Sequence, residues 1–393
     1  MKKMIASKGP VALLYQAIQP PTIGGINKPL KPGGYSDSGA DIAYVLASEL
    51  KIPVITPVDQ PSTVKDLDWV FPDSTEGIEQ ALKKGAKIIW ANTVLFSSHP
   101  LQGFLERQKN GDALLRDVSV VCQMPKDVER FDDKFATNVM LREHECPVAR
   151  SFLVSLQAVD DYEGQPVCVL DHVTESVLKE KGMEFPIIIK PIRGRGSEGV
   201  TKVDNLQQFI EKSTQLLTTT VQFNDVKLPK YGTILIVEEF LQGDELTLTI
   251  MPPGNYLIQN KPKTFTDYWS LPPVKRFNHQ NGVAPYNGIV AVIHNSRALS
   301  PHEIESSAPI QTVTQACTRA AFLVNSKAPI RIDCRATTDG TYKLFDLNMK
   351  PNMTGRGRPG REEQDSLSAI AAREIGWNYS DLLYNIMLRS WQC

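Results

Sequence analysis

FPIIIKPIRGRGSEGVTKV, residues 185–203, decides between two folds. Its Gly194, Gly196 and Gly199 form a literal GxGxxG after an apolar strand, the spacing of a dinucleotide-binding fingerprint. That fingerprint must open a helix directly, so that the amino end of the helix meets a pyrophosphate. Here Gly199 runs into the strand-like VTKV, and the helical pattern DNLQQFIEKSTQLL starts only near Asp204. The acidic ribose partner due about 20 residues further on is also missing. Strand, glycine-rich turn and second strand read instead as a β-hairpin whose backbone N–H groups can fold over polyphosphate as a lid. Lys190, ending the first strand, supplies a point charge there. On this segment alone, a surface lysine beside a tight hairpin is the plainer alternative.

Further along, ILIVEEFLQGDELTLTIM (residues 234–251) is an apolar strand ending in Glu238 and Glu239, followed by Phe240, a turn, and Glu245. Carboxylates so spaced can take an adenine amino group and a ribose diol, although glutamates beside Gly and Asp are also ordinary turn residues. IRIDCRATTDGTYKLFDLNMKPNMTGRGRPGR (residues 330–361) reads as two strands across a TTDGT turn. Alternation puts Arg331 with Asp333, and Asp346 with Asn348, on common faces. Pairing the strands would gather two carboxylates and an amide oxygen, a hard donor set suited to Mg²⁺. The apolar Ile330, Ile332, Leu344, Phe345 and Leu347 mark both strands as core elements.

Upstream, VALLY (11–15), the helical DIAYVLASEL with Ile42, Val45, Leu46 and Leu50 on one face, IPVIT, WVF at Trp69, STEGIEQALKKG, KIIW and SVVC alternate strand with helix. This order predicts a parallel sheet covered on both faces. The proline- and glycine-rich segment QAIQPPTIGGINKPLKPGGYSDSG between VALLY and the first helix must be a loop, and it leaves the carboxyl end of a strand, where ligands bind in such sheets. Lys28, Lys31 and Tyr35 are its candidates, a plain surface excursion being the alternative. A second region opens with FDDKFATNVMLREHECPVARSFLV, a helix then a strand, and passes a helix at Asp171–Lys181. Expected domains are 1–125, 126–240 and 241–393, as the 393-residue length requires more than one core.

With 43 Lys and Arg against 44 Asp and Glu, dispersed along the chain, no single-sign field argues for nucleic acid or anionic lipid. The six cysteines lack metal spacing and fit reduced thiols in the cytoplasm. Cys146 beside His144 lacks a third orienting group for nucleophilic catalysis. The basic start MKKMIASKGPVALLYQ has too short an apolar run for a signal, and no stretch reaches the roughly 18 apolar residues of a span.

Taken in order, Asp133-Lys134, FPIIIKPIRGRGSEGV, VEEFLQGDEL and RID…FDLNMKPNMT resemble the ATP-grasp superfamily, most closely its D-alanine:D-alanine ligase branch. The resemblance runs from about Phe131 to the C-terminus and, more loosely, through the first domain. It implies an α/β and α+β architecture with a Rossmann-like domain preceding the ATP-grasp pair. It implies that Lys134 and Lys190 hold ATP phosphates under a lid containing Gly196 and Ser197. Glu238 would meet the adenine amino group, Phe240 and Leu241 would flank the base, and Glu245 would hold the ribose. Asp333, Asp346 and Asn348 would carry two Mg²⁺ ions, Arg331 would reach the transferred phosphoryl group, and a backbone N–H near Asn352 would join it at the oxyanion.

The implied activity is an ATP-dependent carboxylate–amine ligase acting through an acyl phosphate, with an amino acid as one substrate and ADP and phosphate released. A non-catalytic ATP-binding switch, or an enzyme making an ester or thioester, are the alternatives. Small-molecule acid and amine substrates are expected, without nucleic acid or membrane, and a homodimer is allowed. The sequence departs from the ligase pattern at Gly196, where the family has serine, and in its first loop, which offers Lys28 and Lys31 but no Glu for a substrate ammonium. No Lys lies four residues after the DY pair of FTDYWSLPPVKRF, leaving Lys275 and Arg276 as rivals for the terminal phosphate. Arg356, Arg358 and Arg361 follow the metal strand and suit an acceptor carboxylate, with solvated loop arginines as the alternative.

Overall fold

Parallel pairing needs a crossover connection, which the helices between the short apolar strands of the first region supply. The computed structural model describes residues 9–278 and 292–393 except 24, 27, 29, 195, 224 and 225, so the basic start at residues 1–8 lies outside the described residues. The first sheet has the parallel order β2-β1-β3-β4, built from β1 (Val11–Tyr15), β2 (Phe71–Pro72), β3 (Ile88–Asn92) and β4 (Ser119–Val121). One face, with Val11, Leu13, Ile88 and Trp90, packs on Ile42, Val45 and Leu46 of α1 (Ser36–Ser48). The other, with Ala12, Leu14 and Ile89, packs on Ile78 of α2 (Thr75–Lys83) and Leu101 of α3 (Pro100–Lys109). Both faces are covered, as the alternating pattern predicts. IPVIT contributes less than expected: only a bridge from Val54 to Val11 forms.

Next come α4 (Pro125–Phe131), α5 (Lys134–Glu143) and a second sheet of order β6-β5-β11-β7-β8. Its strands are β5 (Ser151–Ser155), β6 (Val167–Val169), β7 (Ile187–Pro191), β8 (Thr201–Val203) and β11 (Ile234–Glu239), with the hairpin β9 (Thr220–Phe223) and β10 (Val226–Pro229) beside it. The helix expected over 171–181 is shorter, α6 (Glu175–Glu180), because Thr174 caps it. β7 and β8 pair antiparallel, and α7 (Leu206–Thr218) begins after Asn205. The glycine-rich segment is therefore a hairpin turn and does not open a helix. Gly196, Ser197 and Gly199 all sit at positive φ (55°, 58° and 76°).

The third sheet carries the site. Its order is β17-β16-β12-β18-β19, from β12 (Glu245–Met251), β16 (Val274–Arg276), β17 (Ser296–Ala298), β18 (Ile330–Ala336) and β19 (Tyr342–Asn348), and β15 (Trp269–Ser270) also pairs with β12. The apolar face, with Leu246, Leu248, Ile332, Cys334 and Leu344, lies in one core with Val313, Cys317, Ala320 and Ala321 of α9 (Ala308–Leu323), which follows the short α8 (Pro301–Glu305). Each large aliphatic side chain so buried contributes roughly 1.5–3 kcal/mol. The hairpin β13 (Gly254–Ile258) and β14 (Lys261–Phe265) and the helices α10 (Leu367–Glu374) and α11 (Tyr379–Met387) complete the chain. Trp377 and Leu383 join the core of α1, and the backbone of Trp391 pairs with Val120, so the C-terminal segment returns to the first sheet. Among the described residues no helix is long and apolar enough to cross a membrane.

Candidate active site

The polar face of the third sheet follows from strand register. Arg276, Glu245 and Arg335 form one cross-strand row, Thr247, Asp333 and Asp346 the next, and Thr249, Arg331 and Asn348 a third. Rows two residues apart share a face, so these groups look the same way. Asp333 and Asp346 are direct partners, as strand pairing predicts. A bulge between Asp333 and Cys334 pairs Cys334 with Leu344 and leaves Phe345 as the extra residue. The Phe345 carbonyl is thereby turned away from the ladder and accepts from Lys190 Nζ at 3.0 Å.

The second sheet and α5 bring the lysines to this face. Lys190 is 4% exposed and its ammonium is 2.6 Å from Glu238 Oε2, itself 3% exposed. Asn138 Nδ2 donates to the other oxygen of Glu238 at 3.3 Å. Two of the three Lys190 donors are thus used, and one is left over. Asp133 caps α5 by accepting from Ala136 N at 2.8 Å, which places Lys134 in the first turn with its ammonium on Asp346 Oδ1. Arg331 Nη2 donates to Asp333 Oδ2 at 3.0 Å and Thr247 Oγ1 to Oδ1 at 2.7 Å.

These contacts set the charges. Burial pushes the Asp346 carboxyl up, but Lys134 and Lys190 outweigh it and hold the group below the usual carboxylate range. Burial also raises Asp333; Arg331 opposes it, while neighbouring Asp346 and Glu245 add to it. Glu238 is raised by burial against the pull of Lys190. Lys134, penalised by burial, is raised overall because Asp346 favours its charged form. Two buried like charges, Asp333 and Asp346, beside three basic groups, Lys134, Lys190 and Arg331, form a site poised for polyanion and cation together.

At the other end, the Phe240 ring lies between the Lys202 ammonium (5.3 Å from the ring centroid), on the lid strand β8, and the Arg335 guanidinium (5.0 Å). Leu241 and Glu245 beside it are buried. Arg193, leading into the lid, donates to the Glu129 carbonyl at 2.8 Å and pairs with Asp132, which also takes Lys28 of the first loop. Lys275 points outward to Asp244 at 2.6 Å. Arg276 is 3% exposed, and its Nε and Nη2 meet no hydrogen-bond partner among the described residues.

A match to the ATP-grasp domain family covers residues 183–259, the span from just before β7 through β13. The chain has the ATP-grasp fold. The chain is 22% identical over 255 residues to a D-alanine–D-alanine ligase of Actinobacillus succinogenes, covering 65% of this chain and 66% of that one. It is 24% identical to the Aquifex aeolicus ligase of that name, covering 53% and 57%. The chain thus spans less than two thirds of the length of these curated relatives. Its fold is that of the Bacillus anthracis D-alanine–D-alanine ligase complexed with ATP (TM-score 0.56, 14% identity, 97% and 96% coverage) and of a D-Ala:D-Ser ligase from Enterococcus faecalis (TM-score 0.57, 14% identity, 97% and 98% coverage).

Two of the three arginines expected at a substrate carboxylate are already ion-paired. Arg358 is buried, with Nε 2.9 Å from Asp41 Oδ1 and Nη2 2.7 Å from Asp66, and Arg361 joins it on Asp41 at 2.7 Å and on Asp37 at 3.2 Å. They clamp the arm after β19 to α1, with donors already engaged by carboxylates of the chain. Arg356 alone of the three is exposed, with no ion pair among the described residues. Asn352 folds an Asx turn, its Oδ1 accepting from Thr354 N at 3.1 Å, and its own backbone N–H has no acceptor among the described residues. Cys146 is buried, and burial pushes its thiol up, contrary to a nucleophile's need. Sequence reasoning missed Thr247, Arg335 and Asn138. The first two were within reach, since they alternate with Glu245 and Asp333.

Proposed function

We propose that the protein is an ATP-dependent ligase that joins a carboxylic acid to an amine through an acyl phosphate, releasing ADP and phosphate, and that an amino acid is one of its substrates. The observation that carries this is the facing of Arg331, Asp333, Asp346 and Asn348 on one sheet with Lys134 and Lys190 beneath a glycine-rich hairpin. A protein that only sensed nucleotide would not require that whole set.

In this reading the adenine lies against Phe240 and Leu241, with the ribose on Glu245. Glu238, expected at the adenine amino group, instead holds Lys190 in place, its two oxygens being taken by Lys190 and Asn138. Lys134 and the remaining donor of Lys190 take the phosphates, and the N–H groups around Gly196 and Ser197 cover them. Arg276, whose buried Nε and Nη2 meet no acceptor among the described residues, takes a phosphate oxygen in preference to Lys275, which Asp244 already holds. Asp333, Asp346 and Asn348 fit Mg²⁺: they are hard oxygen donors, and the mutual repulsion that helps raise Asp333 is relieved by a cation. Two bound ions would neutralise phosphate charge as the phosphoryl group moves. Arg331 steadies that group and, with the N–H of Asn352, the oxyanion formed when the amine attacks the acyl carbon. A division at residues 125 and 240, and a cytoplasmic setting supported by six free cysteines, belong to the same proposal.

The test is ADP release across a panel of acids and amines with mass spectrometry of the products. Tight ATP binding without turnover on any pair would favour a switch protein instead.

A further inference from the structure

The loop that leaves β1 is fastened to two different parts of the molecule. At its base, buried Asp73 accepts from Ala17 N at 2.8 Å and Ile18 N at 2.9 Å, and is itself held by Thr93 and His99. Its tip turns on itself, Ile23 and Ile26 exchanging backbone hydrogen bonds at 3.0 Å, and docks away from the first sheet. Ile26, 6% exposed, lies in a core with Phe135 of α5, Leu153 of β5, Ile192, and Ile234 and Ile236 of β11. A Cβ on Gly232 would meet its side chain at 2.7 Å, so the turn before β11 leaves room for Ile26 and for nothing larger than glycine opposite it. Lys28 sets its ammonium on both oxygens of Asp132, between α4 and α5.

The root of the lid is held at the same junction. Ile192 and Arg193 follow β7 into the glycine-rich turn. Ile192 shares the core of Ile26, and its carbonyl accepts from Lys134 N at 3.2 Å. Arg193 pairs with Asp132 at 3.4 Å and with Asp133 at 3.7 Å. Asp132 thus carries one cation from the first loop and one from the lid. Burial pushes its carboxyl up, but Lys28, Lys134 and Arg193 outweigh it and keep the group ionised at neutral pH. In a close-packed interior the lid root cannot shift without disturbing both contacts of the loop tip.

Resting on the ligase reading, we propose that Asp132 is a positioning residue that ties the first loop to the lid, so that nucleotide held under the lid fixes the loop over the carboxyl end of β1. That end is where a substrate is received in such a sheet. An acyl phosphate then forms only in a site closed from both sides, which keeps water from it. Such a link is reciprocal: the docked loop also stabilises bound nucleotide.

The probe is AMP-PNP with Mg²⁺, which fills the site without turnover, and hydrogen–deuterium exchange of the full chain reads the link. In the wild type, nucleotide should slow exchange about tenfold or more in peptides from the lid (192–200) and from the first loop (17–31). In Asp132→Asn and in the milder Lys28→Met the lid should still be slowed, while the effect of nucleotide on the loop falls below about twofold. A tie that only stiffened the fold would speed loop exchange equally with and without AMP-PNP and leave that ratio unchanged. AMP-PNP affinity, by isothermal titration, should fall about fivefold in each variant and no further in the double variant, since both break one link. Loop protection that persists in both variants, or additive losses of affinity, overturns the proposal. Protection of the lid without the loop in the wild type does so while leaving the nucleotide site standing. An intact link in a protein that releases no ADP with any acid and amine sinks the ligase reading and leaves the tie, whereas protection of neither segment at saturating AMP-PNP contradicts both.

Discussion

Replacing Asp41 by alanine tests whether the arginines after the metal strand hold the fold or the substrate. Asp41 is fully buried on α1 and receives Arg358 Nε at 2.9 Å and Arg361 Nε at 2.7 Å. Its removal leaves the Arg358 side chain, 2% exposed, with Asp66 as its remaining ion-pair partner, on a carboxylate 35% exposed. Removing one side of a buried pair costs about 3–5 kcal/mol. The surviving Asp66 contact puts the expected loss at the lower end, about 3 kcal/mol. At about 2–4 °C per kcal/mol the unfolding midpoint falls by roughly 6–12 °C. Arg358→Met should cost a similar amount. The double variant should recover part of it, because no charge is then stranded, giving a coupling of about 1 kcal/mol or more. Calorimetry on the four proteins measures this, with ATP titration well below the transition as the functional control. Single variants that each lose less than about 0.5 kcal/mol while raising the KM for the amine would refute the clamp and return these arginines to the substrate.

Lys190→Ala strands Glu238 in a buried site and removes a phosphate donor, so ATP affinity should fall by about tenfold or more, read by isothermal titration; unchanged affinity would contradict its placement. Asp346→Ala and Asn348→Ala should each abolish Mg²⁺-dependent ADP release while leaving the circular dichroism spectrum intact, and persistent turnover would sink the metal assignment. Arg276→Met should weaken ATP binding about tenfold and Lys275→Met by less than about twofold, a ranking that the opposite result would reverse.

Much of the site was legible because β-strands alternate. Arg331 with Asp333, and Asp346 with Asn348, could be placed on common faces from the sequence, and the pairing Asp333 with Asp346 follows once the TTDGT turn is recognised. The absence of a helix after Gly199 was equally local, and it separated a lid hairpin from a dinucleotide turn. Long-range contacts were not legible. Arg358 and Asp41 are 317 residues apart, and nothing in TGRGRPGR distinguishes arginines that clamp a helix from arginines that await a ligand. The bulge that releases the Phe345 carbonyl to Lys190 has no mark in the apolar run KLFDL, where strict alternation puts Phe345 on the wrong footing. The Lys190–Glu238 pair arises from strands adjacent only in the folded sheet, and nothing in the sequence places the two residues side by side.

The central claim is that ATP activates a carboxylate. An acid substrate found in the ADP-release panel, labelled with ¹⁸O in both carboxyl oxygens, is turned over with its amine, and the released phosphate is analysed by ³¹P NMR or mass spectrometry. Attack of one carboxylate oxygen on the terminal phosphorus, followed by displacement at the acyl carbon, must leave one ¹⁸O in inorganic phosphate and one in the product amide. Phosphate without label, or AMP and pyrophosphate in place of ADP and phosphate, would contradict the account.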